Sequence, residues 1–289
     1  MCNLIILLTG SGGFIGENLK KYLSGKYNLL TPRSYDLDLT NADAVRNYFS
    51  ENDIDLVIHC ATRGGIRGIV DDNTTIDDNL SMVKNILSSK SSKCRVILFG
   101  SGAMYDKSRE LHKVKESEIG RFVPKDLYGK SKMLIADMVK GREDVVCLNI
   151  FACYGDGEKS NRFPTYAITQ VLNNKPIIIN QNVIFDYLYV EDMQRIVEHF
   201  ILSKPVSGNI INITPDESVS LYDISNIVNE FNNNKVSIRI ENTIMNKEYT
   251  GDNALLKENI PNFKFTTMEN GLNKFYNKLK DEIIIKENI

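Results

Sequence analysis

Apolar residues follow two alternating rhythms through the first half of the chain. Short apolar runs at residues 4–9, 28–31, 56–60, 96–100 and 145–150 alternate with stretches at 16–23, 42–52, 80–88 and 128–140, where apolar positions recur every three or four residues. The runs read as strands buried on both faces, and the three-to-four spacing reads as amphipathic helix. Their alternation predicts an α/β fold, a Rossmann doubly wound parallel sheet built from βαβ units. From about residue 151 the rhythm breaks. A polar loop opens at Gly155-Asp156-Gly157, and the pattern then predicts helices at 163–172, 190–202, 221–231 and 268–279 with strands at 176–179 and 210–213. The expected division is a core over 1–150 and a smaller C-terminal substrate lobe over 151–289, with 186–213 returning to the core. The stretch 281–289 has no stop signal and is expected to be loosely ordered.

Composition narrows the class. The chain has 289 residues, 42% hydrophobic and 25% charged, enough to bury a sizeable core. A formal net charge of -2 provides no basic field for a nucleic acid. The apolar run after Met1 is too short for a membrane span or a signal peptide, so a cytoplasmic protein without membrane contact is expected. The five cysteines, Cys2, Cys60, Cys94, Cys147 and Cys153, lack CxxC spacing and a histidine cluster. They read as buried thiols, with no metal site expected.

The first strand runs into Gly10-Ser11-Gly12-Gly13-Phe14-Ile15-Gly16 and then at once into a helix. Glycine permits the tight turn and close approach of a pyrophosphate, toward which the amides of a helix N-terminus point. The second strand ends in Arg33-Ser34, without the carboxylate that would bind a free ribose 2′-hydroxyl. A guanidinium and a hydroxyl suit a 2′-phosphate, so NADPH is the expected cofactor, although a solvated surface arginine has the same sequence signature. Tyr128 and Lys132 stand four apart, which places a phenol and an ammonium on one helix face. An ammonium favours phenolate and so makes a tyrosine usable in proton transfer, but this spacing alone also describes ordinary exposed helix. Ser101 closes the fourth strand at the edge where such sheets bind ligands, and its hydroxyl can hold a carbonyl oxygen beside the tyrosine.

Together the three glycines Gly10, Gly13 and Gly16, Ser101, and Tyr128-x-x-x-Lys132 resemble the extended short-chain dehydrogenase/reductase family over nearly the whole chain. The resemblance implies a nucleotide-sugar substrate, with Ser101, Tyr128 and Lys132 catalytic. It also implies adenine contacts at Asp38 and Leu39, support of the cofactor site by Asn79, and a later segment matched by Asp186 to Asp192. Three stretches are similar to the GDP-fucose synthase group: 33–39, 60–66 and 99–105. By that similarity Cys60, Ala61 and Thr62 face the cofactor, while Arg63, Gly64 and Ala103 face the substrate.

Members of that group epimerise a 4-keto-6-deoxy sugar and then reduce its ketone. Here Ala103 stands where they have a cysteine, and Asn161 or Arg162 where they have a histidine, so reduction without epimerisation is expected. Phe185 replaces an arginine and Ala152 an asparagine, which leaves Arg162 as the candidate cation for the substrate. A 4-epimerase, a 4,6-dehydratase and a non-catalytic dinucleotide sensor remain as alternatives. Dehydratases carry an Asp-Glu pair after the serine, where this chain has Gly102-Ala103. A homodimer is expected by the same resemblance, with Met82, Ile86, Met133 and Ile135 as candidate surface or, equally, ordinary core residues.

Overall fold

The computed structural model describes residues 4–287, leaving Cys2 outside the described residues. Its first part consists of β1 (Ile5–Thr9), α1 (Phe14–Leu23), β2 (Asn28–Leu30), α2 (Ala42–Glu51), β3 (Leu56–His59), α3 (Thr75–Ser89), β4 (Arg95–Ser101), β5 (Leu111–Val114), α4 (Leu127–Val139) and β6 (Val145–Ile150). There follow β7 (Ala152–Tyr154), α5 (Phe163–Leu172), β8 (Ile177–Gln181), β9 (Ile184–Phe185), β10 (Tyr187–Tyr189), α6 (Val190–Leu202) and β11 (Ile210–Asn212). The chain continues through β12 (Val219–Ser220), α7 (Leu221–Glu230), β13 (Ile238–Asn242), β14 (Tyr249–Gly251), α8 (Ala254–Asn259) and α9 (Met268–Glu287).

The main sheet has six parallel strands in the order β11-β6-β4-β3-β1-β2. Alternate side chains of each strand enter opposite cores, which is why the strands are apolar throughout. Ile6, Leu8, Leu56, Ile58, Ile97 and Leu148 pack with α1 and α6 on one face. Leu7, Val57, Val96, Leu98 and Cys147 pack with α2, α3 and α4 on the other. Helices on both faces of a parallel sheet make this a doubly wound Rossmann fold, as the hydrophobic rhythm predicts. Truncating one of these fully buried leucines to alanine costs about 2–5 kcal/mol.

Several elements depart from the sequence pattern for local reasons. The third helix begins at Thr75 rather than residue 80, because Asp72 and Thr74 close a turn ahead of it and Asp77 and Asp78 occupy its first turn. The final helix runs through Glu287, so the expected loose stretch is helical up to there. The division at residue 150 is crossed by β5, which lies in a four-stranded sheet with β12, β9 and β14. Met82, Ile86 and Ile135, candidates for dimer surface or core, are at most 6% exposed and belong to the α3/α4 core. Met133 is half-buried against the same core. Cys94 and Cys147 are buried thiols, while Cys60 and Cys153 are half-buried. Among the described residues no helix is long and apolar enough to cross a membrane.

Candidate active site

The glycine turn sits at the C-terminal end of β1. Gly10 has φ +66°, and a Cβ on it would lie 2.5 Å from the Ala61 amide nitrogen, so only glycine lets this turn pass the end of β3. A Cβ on Gly16 would strike the Gly10 carbonyl, which fixes how closely α1 approaches the turn. Ser11 is buried and Gly16 is packed, Phe14 and Ile15 are half-buried, and Gly12 and Gly13 are exposed. No side chain caps α1 at Gly13, so its first amides are left to point at a ligand. The Arg33 guanidinium lies across Gly12, in the space a side chain there would take. Beside it Ser34 is exposed. The cradle and its overlying cation therefore fit a dinucleotide bearing a further phosphate.

At the neighbouring strand ends, Asp38 accepts bonds from the Thr40 amide at 2.9 Å and the Thr40 hydroxyl at 2.7 Å, which holds its carboxyl below the usual range. Leu39 is buried, and its carbonyl accepts from Asn85 at 2.9 Å. Cys60 and Ala61 follow β3 half-buried, and Thr62 is exposed. Burial pushes the Cys60 thiol well up, so it is no thiolate nucleophile.

Asn79 is braced rather than open to a ligand, at 2% exposure. Its Oδ1 accepts the Arg63 amide at 2.8 Å, and its Nδ2 donates to the Arg63 carbonyl and to Ser131 Oγ, each at 3.0 Å. This ties the loop after β3 to α4, so Asn79 supports the site through the protein.

Helix α4 is capped by Asp126, whose side chain accepts the Gly129 amide at 2.8 Å. Its start packs on the turn after Ser101, where a Cβ on Gly129 would lie 2.6 Å from the Ala103 carbonyl oxygen. The Lys132 ammonium, 6% exposed, donates to the Phe99 carbonyl at 2.8 Å and lies 5.6 Å from the centroid of the Tyr128 ring. The structure thus brings the turn after Ser101, Tyr128 and Lys132 to one edge of the sheet.

Asp71 holds Tyr128 in place, a role the sequence pattern does not reveal. One carboxylate oxygen accepts the Gly65 amide at 2.8 Å and the other the Tyr128 amide at 2.9 Å. Gly65 presents bare backbone to the tyrosine ring. Neighbouring Gly64, at φ +78°, leaves room for Asp71 itself. Ala103 is 4% exposed and brings no titratable group. Arg63 is exposed and paired with Asp78 at 3.6 Å. Arg162 lines a cleft of about 580 Å³ with Arg67, Lys107 and Lys125, in which Asp126 pairs with Lys107 at 3.4 Å and Asp71 supplies a second carboxylate.

A parallel sheet carrying a glycine turn after its first strand, with serine, tyrosine and lysine at its C-terminal edge, defines a dinucleotide-binding oxidoreductase architecture. The chain belongs to the NAD dependent epimerase/dehydratase family, which it matches over residues 6–214. Over 107 residues it is 34% identical to GDP-L-colitose synthase of Yersinia pseudotuberculosis, covering 35% of each chain. That match spans about a third of the relative's length. It is 23% identical to GDP-6-deoxy-D-talose 4-dehydrogenase of Aggregatibacter actinomycetemcomitans over 297 residues, 94% of this chain and 96% of the other. In fold it is similar to the GDP-mannoheptose C4 reductase from Campylobacter jejuni with NADP bound. That likeness has a TM-score of 0.83 at 17% identity, covering 97% of this chain and 99% of the other.

Proposed function

We propose that this chain uses NADPH to reduce the C4 ketone of a nucleotide-linked 4-keto-6-deoxy sugar, without epimerisation. The observation that carries this reading is the convergence of Ser101, Tyr128 and Lys132 beside an apolar Ala103. Supporting it are the Arg33 guanidinium over Gly12 and the sugar-nucleotide reductases and synthases that the chain resembles.

The bound cofactor supplies a hydride to the ketone carbon. Ser101 Oγ donates a hydrogen bond to the ketone oxygen, and Tyr128 gives that oxygen its phenolic proton, so ketone, hydride and proton balance to an alcohol. Lys132, fixed by the Phe99 carbonyl, offsets the negative charge left on Tyr128. Arg33 and Ser34 take the cofactor's 2′-phosphate, and the α1 amides its pyrophosphate. Arg162 and its neighbours in the cleft attract the anionic substrate. Moving a carbon-bound proton next to the ketone requires a titratable group, and Ala103 provides none.

The test is NADPH consumption across a panel of nucleotide-linked 4-keto-6-deoxy sugars, with products identified in deuterated water. Consumption with no deuterium beside the former ketone is expected, and Tyr128→Phe abolishes turnover while still binding NADPH. Deuterium at that carbon overturns the absence of epimerisation, and no consumption across the panel overturns the reductase reading.

A further inference from the structure

The C-terminal part of the chain delivers another hydroxyl to the catalytic edge. Tyr249 opens β14, where it pairs with Leu111 of β5 on one side and Phe185 of β9 on the other. Asp186, 1% exposed, pins this strand: one of its carboxylate oxygens accepts the Gly251 amide at 2.8 Å. Its other oxygen is held by Lys113 at 3.2 Å and Ser218 at 2.5 Å. The Tyr249 ring packs 5.1 Å from Phe151 and 5.6 Å from Phe185, centroid to centroid. Strand pairing and ring packing carry the hydroxyl over Gly102, the residue next to Ser101, where a Cβ would come within 2.6 Å of it.

We propose that Tyr249 is a positioning residue that aims the proton of the Ser101 hydroxyl at the carbonyl oxygen of the substrate. A serine hydroxyl has one proton and two lone pairs. The Ala103 amide donates into one lone pair at 3.2 Å. Burial, reinforced by Tyr128 nearby, pushes the Tyr249 phenol well above its usual range, so it keeps its proton, and from its place over Gly102 that proton is proposed to reach the second. With both lone pairs engaged, the Ser101 proton is free to serve only a third partner, the ligand at the sheet edge. A hydroxyl that accepts two bonds is also a stronger donor. This inference rests on the reading of Ser101 as the group that holds the ketone oxygen.

If Tyr249 served only as packing, phenylalanine would replace it at no cost to turnover, because the ring contacts survive. The test is a double-mutant cycle of Tyr249→Phe and Ser101→Ala in the full-length protein, read as kcat and KM for NADPH-dependent ketone reduction. Y249F is expected to lower kcat about tenfold with KM changed less than about twofold, and Y249F on top of S101A to add nothing. Losses that multiply across the two sites overturn the proposal, as does an unchanged kcat in Y249F. A second arm needs no substrate. In NADPH-bound protein labelled with carbon-13 at tyrosine Cζ, the signal absent from Y249F identifies Tyr249. That signal shifts in S101A if the two hydroxyls are paired, and a signal that stays in place overturns the pairing. A wild type inactive on every ketone refutes the proposed reaction, and the labelled signal then decides the Tyr249 pairing alone.

Discussion

Replacing Gly65 with alanine tests whether the loop after β3 sets the position of Tyr128. Gly65 has φ +70°, and its missing Cβ would lie 2.9 Å from ring Cγ and 3.0 Å from both Cδ atoms. Carbon atoms in good contact sit about 3.5–4.0 Å apart, so either ring or loop must give way by roughly 0.5–1 Å. The loop is tethered, because the Gly65 amide is held by Asp71, which also holds the Tyr128 amide. The ring therefore moves. Misplacing a reacting group by about 1 Å costs on the order of a hundredfold in rate, so kcat of G65A should fall about 10–100-fold. Strain enters separately, since a side chain in the left-handed region costs about 1–2 kcal/mol, or a few degrees in Tm. Gly68 isolates that contribution: it has φ +82° and nothing within 4 Å of its missing Cβ. Thermal melts and NADPH oxidation by both variants should show similar losses of Tm but a kcat loss confined to G65A. Equal kcat in G65A and G68A would refute the argument.

Arg33→Ala should weaken NADPH binding about 10–100-fold, the value of a charge-assisted contact, and leave NADH binding unchanged; fluorescence titration with both cofactors checks this. Asn79→Ala leaves the Arg63 amide and Ser131 without their buried partner and should cost about 1–3 kcal/mol in chemical denaturation, a loss that Asn79→Asp does not restore, because a carboxylate cannot donate. Burial, with the charge of Lys132 adding to it, holds the His59 imidazole down at about 3. The unfolded chain takes up this proton below about pH 6.5, so its stability contribution is complete above that pH and is lost as pH falls toward 3, by up to about 1.4 kcal/mol per unit. Denaturant melts of wild type and His59→Gln near neutrality and at about pH 5 should show the smaller acid loss in the variant, and equal losses would rule out His59 as the cause.

The part of this molecule that is legible in sequence is the part built on repeating geometry. Leu7, Val57 and Leu98 enter one core, and Ile6, Ile58 and Ile97 the other, because strand side chains alternate strictly. The same regularity puts Gly10 at the end of one strand and Ser101 at the end of another, and α4 carries Tyr128 and Lys132 on one face. Asp71, Asp186 and Tyr249 escape such reasoning. Asp71 lies in an irregular loop and acts through backbone amides 6 and 57 residues away. Tyr249 lies in a three-residue strand whose partner β5 precedes it by nearly half the chain, so no periodic signal marks it. The choice between dimer surface and core is open in sequence for a similar reason: Met82 and Ile135 carry no sign there that α3 and α4 cover each other.

The position of β5 makes the completion of this fold a matter of timing during synthesis. The strand leaves the ribosome soon after β4, but β14, its hydrogen-bonding partner, is made only after the lobe helices α5 and α7. Until then β5 has no strand to pair with, and the Asp186 carboxylate has no Gly251 amide to hold. A nascent chain therefore displays Ser101, Tyr128 and Lys132 on five of the six strands of the main sheet well before β14 is made. Pairings so distant along the chain form slowly and late, so this unpaired strand is where quality-control factors would find a newly made copy vulnerable.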